Sequence, residues 1–157
     1  MNGLSRLPAA LLVLTIASNA DAFCSYFNFT ISPSQVVPPA NGSGFGGGEI
    51  FLCDDDRLTG SVSVNTTDAV TAVHVHGPAG AGATGDLLFT LPLPIGSHVV
   101  VDLGPLTAEA RLLVDSEQTY VDVHSVEHPD GVLRGQLRHE VAVAPVNWGT
   151  VKSLYQR

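Results

Sequence analysis

The sequence predicts an all-β fold, a Greek-key-like antiparallel β-sandwich or barrel with at most one short helix. Three observations predict it. Many short stretches alternate apolar and polar side chains with a period of two, clusters of Gly, Pro, Asn and Asp separate them, and a single segment, 107–114, favours helix.

The first 22 residues read as an address rather than a fold. Arg6 supplies a positive charge, an apolar run follows from Leu7 to Ala17, and Ala20-Asp21-Ala22 offers the small residues a signal peptidase requires. The run is shorter than the roughly 20 residues that span a bilayer. Residues 1–22 are therefore expected to be a signal peptide, 23–139 the domain, and 140–157 a C-terminal tail, partly disordered. The exported chain is expected to be secreted and extracellular, with no membrane attachment after cleavage. Its net charge of −8 repels phosphate backbones and anionic lipid, so neither nucleic acid nor a membrane surface is an expected partner.

The first strand is written in strict alternation. Phe27, Phe29 and Ile31 point one way, and Tyr26, Asn28 and Thr30 the other. Residues 33–48, rich in Pro and Gly, read as loop. A second strand over 49–53 turns Ile50 and Leu52 inward and Glu49, Phe51 and Cys53 outward. Cys24 shares the parity of Asn28 and faces outward too. Antiparallel pairing of the two strands brings Cys24 beside Cys53, and an oxidising compartment favours a disulfide between them. Closing that loop contributes on the order of 3 kcal/mol in the chain-entropy model. Asp54-Asp55-Asp56 reads as a tight turn, since one short acidic run lacks the spaced oxygen ligands of a calcium loop.

A third strand follows from Leu58 to Asn65, and others are expected at 70–76, 86–91, 98–103, 120–126 and 132–137. Thr107 is placed to cap a short helix through Val114, because Ala108, Glu109, Ala110, Arg111 and Leu112 all favour that state. Val141 and Val143 offer an edge strand in the tail, where Trp148 has no assigned neighbour. Sequons at Asn28, Asn41 and Asn65 are candidate glycosylation sites, and Asn28 falls on a polar strand face.

The informative chemistry sits on one face. Val73 and Val75 point inward, which sends His74 and His76 together to the opposite side; Val121 and Val123 do the same for Asp122 and His124. The next strand repeats the pattern with Arg134 and Gln136 outward. If these strands pair, all six polar residues share one patch of sheet.

These segments resemble a known family. His74-Val75-His76-Gly77-Pro78-Ala79 is similar to the His-Ile-His-Gly-Pro-Ala element of chordin-type (CHRD) domains, and Tyr120-Val121-Asp122-Val123-His124-Ser125 to their Tyr-Val-Asn-Val-His-Thr element. The stretch from Pro129 through Asp130-Gly131-Val132-Leu133-Arg134-Gly135-Gln136-Leu137 resembles their Pro-Gly-Gly-Glu-Ile-Arg-Gly-Gln-Leu ending, and Gln35-Val36-Val37-Pro38-Pro39 a Gln-Glu-Val-Pro-Pro element. The chain departs from the family at Val36, Asp122 and Val132. The resemblance implies a stand-alone, single-domain secreted member. Growth-factor binding does not carry over, because chordin's cysteine-rich modules are missing from this sequence.

Two readings of the histidine face stay open. In the first, His74, His76 and His124 join Asp122, Arg134 and Gln136 in a hydrogen-bonded polar network that fixes strand register without a ligand. In the second they bind a metal. A His-x-His pair on a strand sends two imidazoles to one side about 6.5–7 Å apart, and a third from a neighbouring strand completes a set suited to copper first and zinc second. The pair resembles the His-Val-His copper strand of Cu/Zn superoxide dismutases, yet residues 77–97 hold no histidine for a zinc cluster. His98, His128 and His139 read as surface residues, with His128 a fourth candidate. The G-x-G-x-x-G match at Gly80 to Gly85 is a flexible turn, since β-like sequence rather than a helix follows. With no nucleophile elbow and both cysteines assigned to a disulfide, a catalytic role has no positive support. The expected function is an extracellular interaction or structural module with a protein or matrix partner; the alternative is a copper- or zinc-binding protein with redox chemistry.

Overall fold

A computed structural model describes residues 23–140. The signal peptide assigned to 1–22 and the tail features Val141, Val143 and Trp148 lie outside the described residues. Eight strands run in order: β1 (Cys24–Ile31), β2 (Phe45–Cys53), β3 (Leu58–Asn65), β4 (Val70–Gly77), β5 (Asp86–Leu91), β6 (His98–Leu103), β7 (Tyr120–Ser125) and β8 (Leu133–Gln136), with one helix, α1 (Ala108–Asp115), between β6 and β7. They form two four-stranded sheets, ordered β1-β2-β3-β6 and β5-β4-β7-β8. Every named pairing is antiparallel. β6 returns to lie beside β3 after the β4–β5 pair has been built in the other sheet, a Greek-key return.

The alternating pattern fixes what lies between the sheets. Phe27, Ile50, Leu52, Leu58 and Val62 from one sheet, and Val73, Val75, Val121, Val123 and Leu133 from the other, are completely buried. Each such side chain contributes about 1.5–3 kcal/mol relative to exposure. A one-residue slip in any strand would send its whole set to solvent.

β2 begins four residues earlier than the sequence suggested. The Gly46-Gly47-Gly48 run, expected as loop, is strand paired to β1 and β3. Glycine is required there by contact rather than by turn geometry. A Cβ on Gly46 would stand 1.9 Å from the Ser63 carbonyl oxygen, and one on Gly48 would stand 2.4 Å from the Phe29 ring. The Phe29 ring covers the missing side chain, so a strand interior poor in β propensity is held by packing.

Cys24 and Cys53 are directly opposed in the β1–β2 register and form a disulfide. The Asp54–Asp56 turn closes beyond it, with Asp56 N–H donating to Cys53 O at 3.0 Å. Helix α1 is capped by Thr107, whose side-chain oxygen accepts from Ala110 N–H at 3.2 Å. Arg111 ties the helix to this turn, donating to Cys53 O at 2.6 Å and pairing with Asp56 at 2.9 Å. Val114 is fully buried against the core.

The sandwich is stitched along one side. Ser32 and Arg134 exchange backbone hydrogen bonds at 3.0 and 3.2 Å, and Asn28 N–H donates to Arg138 O at 3.1 Å. Gly135 permits this approach, since a Cβ there would lie 2.4 Å from Thr30 O. His139, expected as a surface residue, instead packs against Phe27 with ring centroids 4.2 Å apart and planes tilted by 37°, and reaches Asp115 O through Nε2 at 3.0 Å. Sequence reasoning missed it because the contact joins the two ends of the domain, and no local pattern encodes that.

Candidate metal site on the outer sheet face

The β4–β7–β8 register decides which polar side chains meet. His74 lies opposite Asp122, which lies opposite Arg134; His76 lies opposite Tyr120, which lies opposite Gln136; His124 lies opposite Ala72. All six residues singled out from the sequence thus project from the outer face of the second sheet, and Tyr120 joins them. Its parity with Asp122 and His124 was the signal that could have placed it there.

Within that face the contacts separate into two groups. The first is the histidines. One ring nitrogen from each of His74, His76 and His124 lies within 4.8 Å of the other two, and all three residues are half-buried. Backbone carbonyls set two of the tautomers. His124 Nδ1–H donates to Pro129 O at 2.9 Å, and His76 Nδ1–H donates to Gly85 O at 3.1 Å. A carbonyl only accepts, so each neutral ring carries its lone pair on Nε2. His124 Nε2 then accepts from His74 Nδ1–H at 3.1 Å. His76 Nε2 is buried with no partner among the described residues. A buried lone pair without a donor is costly.

The local electrostatics favour the neutral form of His74 and His76. Burial, followed by the neighbouring His124 and His76, pulls the His74 pKa below its ordinary 6.5. Burial is also the first cause lowering His76; the bond to Gly85 opposes it, while His124 and Arg134 add to it. Neutral imidazole is the ligand form.

The second group is Asp122, Tyr120, Arg134 and Gln136. Gln136 Nε2 donates to the carbonyls of Ala79, Glu117 and Thr119 at 2.8, 2.9 and 3.0 Å, locking the loops at the end of the sheet. Arg134 lays its guanidinium 3.5 Å from the centre of the Tyr120 ring, and that ring stacks on His76 at 5.2 Å with planes 10° apart. Tyr120 Oη accepts from Gly85 N–H at 3.1 Å. Asp122 is 7% exposed and its Oδ1 has no donor among the described residues. Burial raises its pKa to about 6, against the pull of His124 and Arg134. No hydrogen bond among the described residues joins these side chains to the histidines; the two groups communicate through the Tyr120–His76 stack and through charge.

His128 stands apart from the cluster, with Nε2 3.8 Å from Asp68 Oδ2. His98 is exposed beside Ser97. The Gly80–Gly85 segment is a turn leading into β5 rather than a helix start. Asn28, Asn41 and Asn65 are all exposed.

The fold and this face define the class: a disulfide-bonded antiparallel β-sandwich carrying three imidazoles on the outside of one sheet. A family model, the CHRD domain, matches residues 27–137, and the chain belongs to that family. The match covers all eight strands apart from the first residues of β1. No curated protein and no solved structure matches the chain. Among the described residues no helix is long and apolar enough to cross a membrane. The disulfide and the family together fit a module of extracellular type.

Proposed function

We propose that this protein is a secreted extracellular module that binds one copper ion, or failing that one zinc ion, through His74, His76 and His124. The observation that carries the reading is the convergence of three ring nitrogens within 4.8 Å. Metal–nitrogen bonds of about 2.0–2.1 Å place ligand nitrogens roughly 3.3–4.1 Å apart across tetrahedral to linear arrangements. The observed limit of 4.8 Å lies within about 1.5 Å of that range.

Supporting features surround the rings. Carbonyls of Gly85 and Pro129 hold the non-ligating Nδ1–H groups of His76 and His124, the arrangement that orients metal-bound imidazole. An all-imidazole set ranks copper above zinc by intrinsic affinity. Binding through His124 Nε2 replaces its hydrogen bond from His74, and because only neutral imidazole ligates, affinity falls as pH drops and the rings protonate. The interaction role expected of an extracellular module is compatible with this site, and Asn28, Asn41 and Asn65 are exposed for glycans.

The test is a competition titration of protein made in a secretory host and purified without a histidine tag. Copper(I), copper(II) and zinc are each titrated against a chelator of known affinity. One equivalent of copper is expected, with affinity reduced at least thirtyfold in His76→Gln. No uptake at micromolar copper, or uptake unchanged in His76→Gln, would overturn the reading. Secretion is tested in parallel by sequencing the mature N-terminus, expected at Phe23, and by the mass lost on glycosidase treatment.

A further inference from the structure

Arg134 is an unusual place to leave a cation. The residue is 2% exposed. A guanidinium offers five N–H donors in a rigid fork, yet among the described residues its side chain has one acceptor, Gly80 O at 3.3 Å from Nη2. One face is covered by Tyr120. No ion pair joins it to a carboxylate within 4.0 Å among the described residues. Asp122, its cross-strand neighbour, acts on it only through space. Burial pushes the pKa of Arg134 below its ordinary value, with Tyr120 and Asp122 opposing. A buried charge held this way is costly unless something else completes its hydrogen bonding.

Arg134 lines a cavity of about 380 Å³. Val36, Val37 and Pro39, from the segment that follows β1, form an apolar wall, and Ala81 lines the cavity from the turn before β5. Gln136 lines it as well, and its buried Oε1 has no donor among the described residues. With Ser34 and Gln35 also in its lining, the cavity joins a few polar groups to apolar surface, the composition of a ligand pocket.

We propose that this cavity binds a monocarboxylate with a short branched apolar tail. The carboxylate takes the guanidinium fork in a two-pronged pair, and the tail lies against Val36, Val37 and Pro39. Planar carboxylate matches the fork, and the partial burial of the site strengthens the pair relative to one in open water. A phosphate or sulfate dianion loses more hydration than these walls replace, and the protein's net charge of −8 repels it further. The site uses none of the three histidines, so it stands or falls separately from the metal reading. The same chemistry is carried by a free N-acyl amino acid and by the C-terminus of a peptide ending in valine.

The experiment is a calorimetric titration of metal-free protein with N-acetylvaline, with an acetylated tripeptide ending in valine, with the same tripeptide amidated, and with inorganic phosphate. The two acids are expected to bind, and the amide and phosphate to bind at least tenfold more weakly. A tripeptide acid at least tenfold tighter than N-acetylvaline assigns the ligand to a peptide C-terminus, and equal affinity assigns it to the free acid; both support the pocket. Arg134→Gln is expected to abolish binding. Since that variant removes a buried stacking partner, Ala81→Trp serves as the second test, because Ala81 is exposed at the rim and the indole blocks entry without touching the fold. Acid and amide binding equally, no binding of either acid at millimolar concentration, or binding unaffected by Ala81→Trp would overturn the proposal.

Discussion

Replacing both Cys24 and Cys53 by serine removes the covalent link between the free end of β1 and the turn end of β2. The bond spans 29 positions of sequence, a loop whose closure in the unfolded chain corresponds to about 3.5 kcal/mol at 25 °C. For a domain of this size, unfolding entropy near the midpoint converts that loss into a fall in Tm of roughly 10–15 °C. The remaining contacts at that end are few: Asp54 N–H donates to Phe23 O at 3.1 Å, and Phe23 N–H to Asp54 Oδ2 at 3.2 Å. The core of the second sheet is untouched, so the folded state survives. Scanning calorimetry of wild type, reduced wild type and Cys24→Ser/Cys53→Ser measures the effect, and the last two should coincide. A midpoint shifted by less than about 3 °C would refute the entropic argument.

Asp122→Asn is expected to stabilise metal-free protein at pH 7.5 by on the order of 3 kcal/mol, because the buried carboxyl titrates near pH 6 rather than 3.8. A raised folded-state pKa means the wild type gains stability by proton uptake as pH falls from about 6 towards 3.8, so urea midpoints of the two proteins should converge there. His74 and His76 act in the opposite sense: their pKa values lie below 6.5 when folded, so what they contribute is full above pH 6.5 and lost as pH falls. In Asp122→Asn that acid-side loss should appear unopposed in the urea midpoint. Gly135→Ala forces a Cβ to 2.4 Å from Thr30 O and is expected to cost about 1–3 kcal/mol in urea unfolding, more than the helix-favouring character of alanine would suggest. Thr107→Ala removes the cap of α1 and should cost about 1 kcal/mol, read by the same method, without altering metal uptake.

Much of the fold was legible because burial imposes a period of two on β1, β2, β3, β4 and β6. The inward set of β1, β3, β4 and β7 can be read directly, and the outward parity of Cys24 and Cys53 led to their bond. The same parity put His74, His76 and His124 on one face. What escaped was written in contacts between distant segments. The start of β2 looked like loop because its glycines answer to Phe29 and Ser63 rather than to a turn. The docking of His139 on Phe27, the three carbonyls gathered by Gln136, and the Tyr120 stack between Arg134 and His76 each join residues whose spacing in sequence carries no period. Tautomers were beyond sequence altogether, since they depend on which carbonyl each Nδ1 meets.

X-ray absorption at the copper edge, on protein loaded with one equivalent, tests the central claim most directly. Three imidazole nitrogens at about 2.0 Å are expected, falling to two in His124→Gln. A shell dominated by oxygen, or a wild-type spectrum unchanged in His124→Gln, would contradict it.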